Sequence, residues 1–187
     1  MSFEPFHFDP KIAAGIQSRG FTTPTPIQSQ AIPKVLEGRD VLGLAQTGTG
    51  KTAAFTLPML TRIAKAGATG RTKALVLAPT RELVAQIEEN VRAYAKHLPL
   101  RVATVFGGVG ERPQMQALKS GVDLVIAAPG RLLDLMGQGC GDFSALDFLV
   151  LDEADRMLDM GFLPSIRRVV KALPRNRQTL LFSATLS

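Results

Sequence analysis

Cysteine is almost missing from this sequence: Cys140, in the run Gly139-Cys140-Gly141, is the only one among 187 residues. It can close no internal disulfide and lacks the companions of a zinc site, which points to a reducing compartment. Histidine is nearly as scarce. His7 and His97 have no catalytic partners nearby in sequence, and with Cys140 they read as structural. No apolar run approaches the roughly 18 residues of a membrane span. The opening Met1-Ser2-Phe3-Glu4-Pro5 has neither the basic nor the apolar region of a secretory leader. The expected location is therefore the cytoplasm, with no membrane partner. Internal repeats and low-complexity tracts are also missing. What is present is 45% apolar and 20% charged residues, with 17 Gly and 12 Pro. That composition excludes disorder and collagen and suffices for one sizeable core. The length fits one domain, with little room for two. Lys and Arg number 22 against 16 Asp and Glu, a net charge of +6. Such a charge suits a polyanionic partner or plain solubility equally, so motifs must decide.

Short β-branched or leucine-rich runs alternate with longer segments of helical period, the pattern of an α/β fold around a parallel sheet. Six strands are expected, at 41–44, 74–77, 102–106, 124–127, 148–151 and 179–182, each apolar nearly throughout as a doubly covered strand should be. Helices are expected at 10–19 and 26–36, separated by Gly20 and the Pro24/Pro26 pair. The clearest helix carries Leu83, Ile87, Val91, Tyr94 and Leu98 on one face, with Thr80 as its N-cap. Residues 66–72 read as a loop.

Chemistry concentrates in two places. Ala45-Gln46-Thr47-Gly48-Thr49-Gly50-Lys51-Thr52 follows a strand and opens an apolar helix. Small residues there let backbone N–H groups turn onto an anion, the helix N-terminus adds partial positive charge, and Lys51 and Thr52 can reach phosphates and Mg²⁺. Ala45 stands where the strict pattern has glycine, so it must keep ordinary backbone angles. The second place is Asp152-Glu153-Ala154-Asp155, where a buried strand ends in carboxylates. Alone, these read as an acidic helix start. Beside a phosphate loop, Asp152 can hold Mg²⁺ and Glu153 can orient or deprotonate an attacking water.

The tetrad Asp152-Glu153-Ala154-Asp155 resembles the signature of the DEAD-box ATP-dependent RNA helicases, and the resemblance extends over essentially the whole chain. Gly20-Phe21-Thr22-Thr23-Pro24-Thr25-Pro26-Ile27-Gln28 is similar to the family's Q motif, with Phe3 the isolated aromatic upstream. The resemblance implies that the Gln28 amide reads the adenine edge, that Phe21 packs against the base and that the Thr23 carbonyl accepts from its amino group. It also places Phe3 and the loop residues Ala45, Gln46, Thr47, Gly48, Thr49, Gly50, Lys51 and Thr52 in the same nucleotide site. Pro79-Thr80-Arg81-Glu82-Leu83, Gly107-Gly108 and Pro129-Gly130-Arg131 resemble the RNA-contacting motifs. Thr80, Arg81, Gly108, Gly130 and Arg131 are the implied backbone contacts. Ala128 departs from the family's usual threonine, which removes one hydroxyl contact. Ser183-Ala184-Thr185 resembles the motif coupling hydrolysis to strand separation, and its hydroxyls could meet Asp152 and Asp155. The basic cluster Arg167, Arg168, Lys171, Arg175 and Arg177 reads as a solvated helix face and loop.

By resemblance the fold is a RecA-like P-loop domain over 1–187: a central, mostly parallel sheet with helices on both faces, and residues 1–36 as a Q-motif segment. The Ser183 strand should lie between the phosphate-loop strand and the Asp152 strand. The implied activity is RNA-stimulated ATP hydrolysis coupled to local duplex separation, with ATP and Mg²⁺ bound here. An ATP-gated RNA clamp is the alternative. The family's second RecA-like domain has no counterpart in these residues, so the chain is expected to be the N-terminal half and unable to unwind alone.

Overall fold

The computed structural model describes residues 2–185. Six strands, β1 (Val41–Leu44), β2 (Ala74–Leu77), β3 (Val102–Val105), β4 (Leu124–Ala127), β5 (Phe148–Leu151) and β6 (Gln178–Ser183), form one sheet in the order β1-β6-β5-β2-β4-β3. Every pairing is parallel. β2, β4 and β5 are buried along their whole length, which explains their unbroken apolar runs. The Ser183 strand does lie between β1 and β5.

Alternate residues of the inner strands face two separate cores, whereas on the edge strand β1 Leu42 and Leu44 stay exposed. One face takes Ala74, Val76, Leu124, Ile126, Phe148, Val150, Leu180 and Phe182. It is covered by α1 (Pro10–Ser18), α2 (Pro26–Leu36), α3 (Lys51–Ala66) and α4 (Arg81–Tyr94). The opposite face takes Leu75, Leu77, Val105, Val125, Leu149 and Leu151. Residues of α5 (Arg112–Lys119), α6 (Pro129–Gly137), α7 (Ala154–Asp159) and α8 (Leu163–Lys171) cover that one. The helices that follow β1 and β2, where the chain moves one way across the sheet, lie on the first face, and those that follow β3, β4 and β5, where it moves back, lie on the other, as crossovers of one hand require.

Five expected boundaries shift. β3 stops at Val105, because Phe106 leaves the sheet to bond a side chain from α5. β6 begins one residue early and ends one late, since its central position gives it neighbours on both sides. The first helix closes at Ser18, with Arg19 as its C-cap. α4 ends at Tyr94, and Leu98 reaches the same core from the turn that follows.

Helix α1 lies so close to α4 that a Cβ on Gly15 would stand 2.2 Å from the Tyr94 carbonyl oxygen. The obstacle is backbone and cannot rotate away. Gly15→Ala is expected to force the helices apart and destabilise the fold by about 1–3 kcal/mol despite alanine's better helix propensity. Chemical denaturation measures this, and an unchanged or raised midpoint would contradict the close packing.

Candidate functional site

Parallel α/β sheets present their ligand sites at the C-terminal ends of the strands. Here the motifs are sorted along that edge. The phosphate loop, the Ser183 triplet and the Asp152 tetrad follow β1, β6 and β5, which are adjacent. The Arg81, Arg131 and Gly108 motifs follow β2, β4 and β3, the other half.

On the first half, β1 runs into the loop with Ala45 still in the ladder, its N–H donating to the Ser183 carbonyl at 3.0 Å. Ala45 keeps a negative φ, whereas Gly48 (87°) and Gly50 (83°) take the left-handed turn that only glycine adopts without strain. The Thr25 hydroxyl caps α2 in a capping box with Gln28, whose Oε1 accepts the Thr25 N–H at 3.1 Å. The Gln28 Nε2 donates to the Gly50 carbonyl at 3.0 Å. Gln28 is thus a bolt between the Q-motif helix and the phosphate loop. Each end of its amide keeps one further hydrogen-bonding position for a ligand.

A cleft of about 360 Å³ opens between this bolt, the loop and α4. Of the sequence-derived nucleotide residues it gathers Phe21, Thr23, Gln28, Thr47, Gly48, Gly50, Lys51 and Thr52, together with Glu153. Ala45, Gln46 and Thr49 lie instead around a hollow on the loop's outer side, where the Thr49 hydroxyl donates to the Gln46 carbonyl at 2.6 Å. Phe3 is not brought to the cleft. It stacks edge-on against Phe6 and lines a neighbouring cavity, with Phe21 in the wall common to both. Leu83, Gln86, Asn90 and Tyr94 complete the cleft and were missed in the sequence. Their spacing of three, four and four is one stripe of α4, and two amides interrupting an apolar stripe are the signal that could have marked it. The Arg19 guanidinium stands 6.0 Å from both the Phe21 and Tyr94 rings and donates to Asn90 Oδ1 at 2.8 Å.

At the cleft floor, the buried Lys51 ammonium lies 3.1 Å from Asp152 Oδ1 and 3.6 Å from Glu153 Oε2. Asp152 is fully buried, and burial pushes its carboxyl above the usual range even though Lys51 pulls it down. Its Oδ1 also accepts the Glu153 N–H at 2.9 Å, while Oδ2 has no partner in the protein. Glu153 has φ of 50°, a left-handed conformation worth about 1–3 kcal/mol of strain in a residue with a side chain. Its neighbours hold it there with its carboxylate toward the cleft. The triplet's hydroxyls meet only one of the two expected carboxylates. The Thr185 hydroxyl donates to Asp155 Oδ2 at 3.1 Å, whereas the Ser183 hydroxyl donates to the Thr185 carbonyl at 2.7 Å. Asp152 is served by Lys51 instead, since a buried carboxylate is balanced far better by an ammonium than by a hydroxyl.

On the second half, Thr80 caps α4, accepting the Leu83 N–H at 3.1 Å. Arg81 is exposed, its guanidinium 5.1 Å from the Phe106 ring centroid. Gly108 is exposed at φ 82°, and Gly130 sits in the first turn of α6, whose N-cap Ala128 supplies no side-chain bond. Arg131 is less available than expected. Its Nη1 donates to Gln114 Oε1 at 3.2 Å and its Nη2 to the Val109 carbonyl at 2.9 Å. The basic residues near the C-terminus lie on the exposed face of α8 and the loop after it, with Arg177 tied to the Pro174 carbonyl at 2.8 Å.

A parallel sheet carrying a phosphate loop on its edge strand, faced across the cleft by a carboxylate pair, defines a P-loop nucleotide-binding domain of the RecA-like type. The sequence model of the DEAD/DEAH box helicase family matches residues 25–187, and the chain belongs to that family. It is 47% identical over 186 residues to the DEAD-box ATP-dependent RNA helicase CshA of Streptococcus pneumoniae, covering 100% of this chain and 35% of that protein. It is also 47% identical over 186 residues to the ATP-dependent RNA helicase DBP2 of Encephalitozoon cuniculi, covering 98% of this chain and 38% of the relative. The chain thus spans about a third of the length of these relatives. The crystal structure of a DEAD box protein from the hyperthermophile Methanococcus jannaschii superposes with a TM-score of 0.93 at 34% identity, over 100% of this chain and 51% of that one.

Proposed function

We propose that this chain, over residues 1–187, is the N-terminal, ATP-binding RecA-like domain of a cytoplasmic ATP-dependent RNA helicase. In that protein, ATP hydrolysis stimulated by RNA drives local duplex separation. The observation that carries this reading is the sorting of motifs along one sheet edge: a nucleotide half on β1, β6 and β5 beside a half bearing Arg81, Gly108 and Arg131. Asp155, at the start of α7 and bonded to Thr185, links the carboxylate strand to the end of β6, a route by which nucleotide state can reach the rest of the edge.

Lys51 is the group that changes partners. Its ammonium neutralises Asp152 and Glu153 in this structure. Phosphates on the loop compete for that ammonium, and Asp152 then presents a carboxylate without its counter-charge. Its unpartnered Oδ2 and the Thr52 hydroxyl fit Mg²⁺, which takes one or two protein oxygens and shares phosphates and water. When bound, the ion neutralises charge on the phosphate oxygens. Glu153 orients or deprotonates the attacking water. Phosphoryl transfer also needs cationic stabilisation of the moving group, and an arginine finger is worth about 10³ to 10⁵ in rate. In this reading it comes from the second RecA-like domain of the full-length protein, so residues 1–187 bind nucleotide and RNA but turn over negligibly.

The remaining positions on the Gln28 amide pair with adenine's adjacent donor and acceptor. ADP should bind better than GDP, and Gln28→Ala should cost about 1–3 kcal/mol of ADP binding. Titration calorimetry reads both; equal affinities for ADP and GDP in the wild type would remove Gln28 from base recognition. The function itself is tested by steady-state ATPase and duplex-separation assays on the full-length protein with RNA and with DNA. Stimulation by RNA and strand separation are expected. Turnover indifferent to RNA, or equally stimulated by DNA, would overturn the reading, and RNA-gated binding without turnover would favour a clamp.

A further inference from the structure

Gln114 lies in α5, outside every motif discussed above, yet it is a buried amide with both ends engaged. Its Nε2 donates to the Phe106 carbonyl at 3.0 Å and its Oε1 accepts from Arg131 Nη1 at 3.2 Å. Arg131 Nη2 continues to the Val109 carbonyl at 2.9 Å, and the Arg81 guanidinium lies 5.1 Å from the Phe106 ring centroid. One side chain therefore ties the exit of β3, the glycine loop at 107–110, the first turn of α6 and, through Phe106, the start of α4. A buried amide is tolerated only where its bonds are made, so this arrangement has one geometry rather than several. Neither carbonyl belongs to a regular ladder. Without Gln114 the Phe106 carbonyl loses its tie to α5, and Arg131 keeps only its own bond to the Val109 carbonyl, so the exit of β3 and the first turn of α6 are no longer joined by a side chain.

We propose that Gln114 is a positioning residue for RNA: it touches no phosphate but fixes the Gly108 N–H, Arg81 and Arg131 as one preformed backbone track. The inference rests on the RNA reading of this edge. Preforming the track spares RNA the cost of ordering it at each encounter, so losing it weakens binding without altering the contacts finally made.

The test is RNA-stimulated ATPase and RNA binding by the full-length protein carrying Gln114→Met, which keeps size and removes both bonds, and Gln114→Glu, which keeps an acceptor for Arg131 and loses the donor to Phe106. Gln114→Met should raise the RNA concentration for half-maximal stimulation about tenfold. ADP affinity and the rate at saturating RNA should stay unchanged. The salt slope of RNA binding should also be that of wild type, since no phosphate contact is lost, whereas Arg81→Ala should lower it by about 0.7. Gln114→Glu should fall between Met and wild type. RNA half-saturation within twofold of wild type in a normally folded Gln114→Met protein overturns the inference alone. If that variant melts early, wild-type RNA half-saturation in Gln114→Glu overturns it equally. A wild-type protein that binds no RNA overturns the reading beneath it, a result distinguishable without any variant.

Discussion

Replacing Glu153 by glutamine in the full-length protein should lower RNA-stimulated turnover by about 10²- to 10⁴-fold, the range for losing a group that handles a proton in the transition state. The substitution keeps shape and the backbone N–H that reaches Asp152, and removes only the charge. Nucleotide affinity should therefore survive, or rise slightly as a negative charge leaves the cleft. The combination of wild-type binding with lost turnover identifies a transition-state contribution. Steady-state kinetics beside a nucleotide titration separate the two, and wild-type turnover would remove Glu153 from the chemistry.

Lys51→Met should be costly in a different currency. Its ammonium balances a fully buried carboxylate, and removing one partner of a buried pair costs about 3–5 kcal/mol. Nucleotide binding is expected to be lost as well. The stability loss should depend on pH. Burial already raises the folded-state pKa of Asp152, with Lys51 opposing the rise, so the variant's carboxyl titrates higher still. A group whose folded pKa exceeds its unfolded value favours the fold below the unfolded pKa, and this contribution disappears as pH rises through the folded one. The variant should come closest to wild type in acid and fall behind as pH rises past the unfolded Asp value. Denaturation midpoints across that range check it. A deficit independent of pH would mean that lost packing, not the orphaned carboxylate, dominates. Asp152→Asn in the Lys51→Met background should recover much of the deficit.

The strands were readable in the sequence because a doubly covered strand has no polar face to hide: Leu75 to Leu77 and Leu149 to Leu151 are buried on both sides. The phosphate loop and the carboxylate pair were readable because few backbone or side-chain alternatives can serve those positions. Gln114 and Asn90 were not. Each shares an amphipathic helix with a second amide, Gln86 in α4 and Gln116 in α5, and the residue type alone does not tell which of them is solvated and which is turned onto a carbonyl or a guanidinium. Arg131 was legible by type, but its internal partners, Gln114 and the Val109 carbonyl, were not. Phe3 is the reverse case: the motif suggested the nucleotide site, and packing against Phe6 sets it in the adjoining cavity, whose wall shares Phe21 with the cleft.

The strand that carries the phosphate loop has a single neighbour, and that neighbour is the last strand among the described residues. Val41 pairs with Leu180, which a ribosome working at about 5–20 residues per second adds roughly 7–30 seconds later. During that interval β2, β4 and β3 can already pair among themselves, because every residue they need has been made. β1 waits with both edges open, a state in which strands join the wrong partners, and its Leu42 and Leu44 stay exposed even in the folded domain. The carboxylates that take up the Lys51 charge arrive only with the end of β5. A nascent chain stopped short of β6 thus contains the complete phosphate-loop sequence while β1 has no strand to pair with, so in this domain the loop gains its sheet support only when the last of the six strands joins.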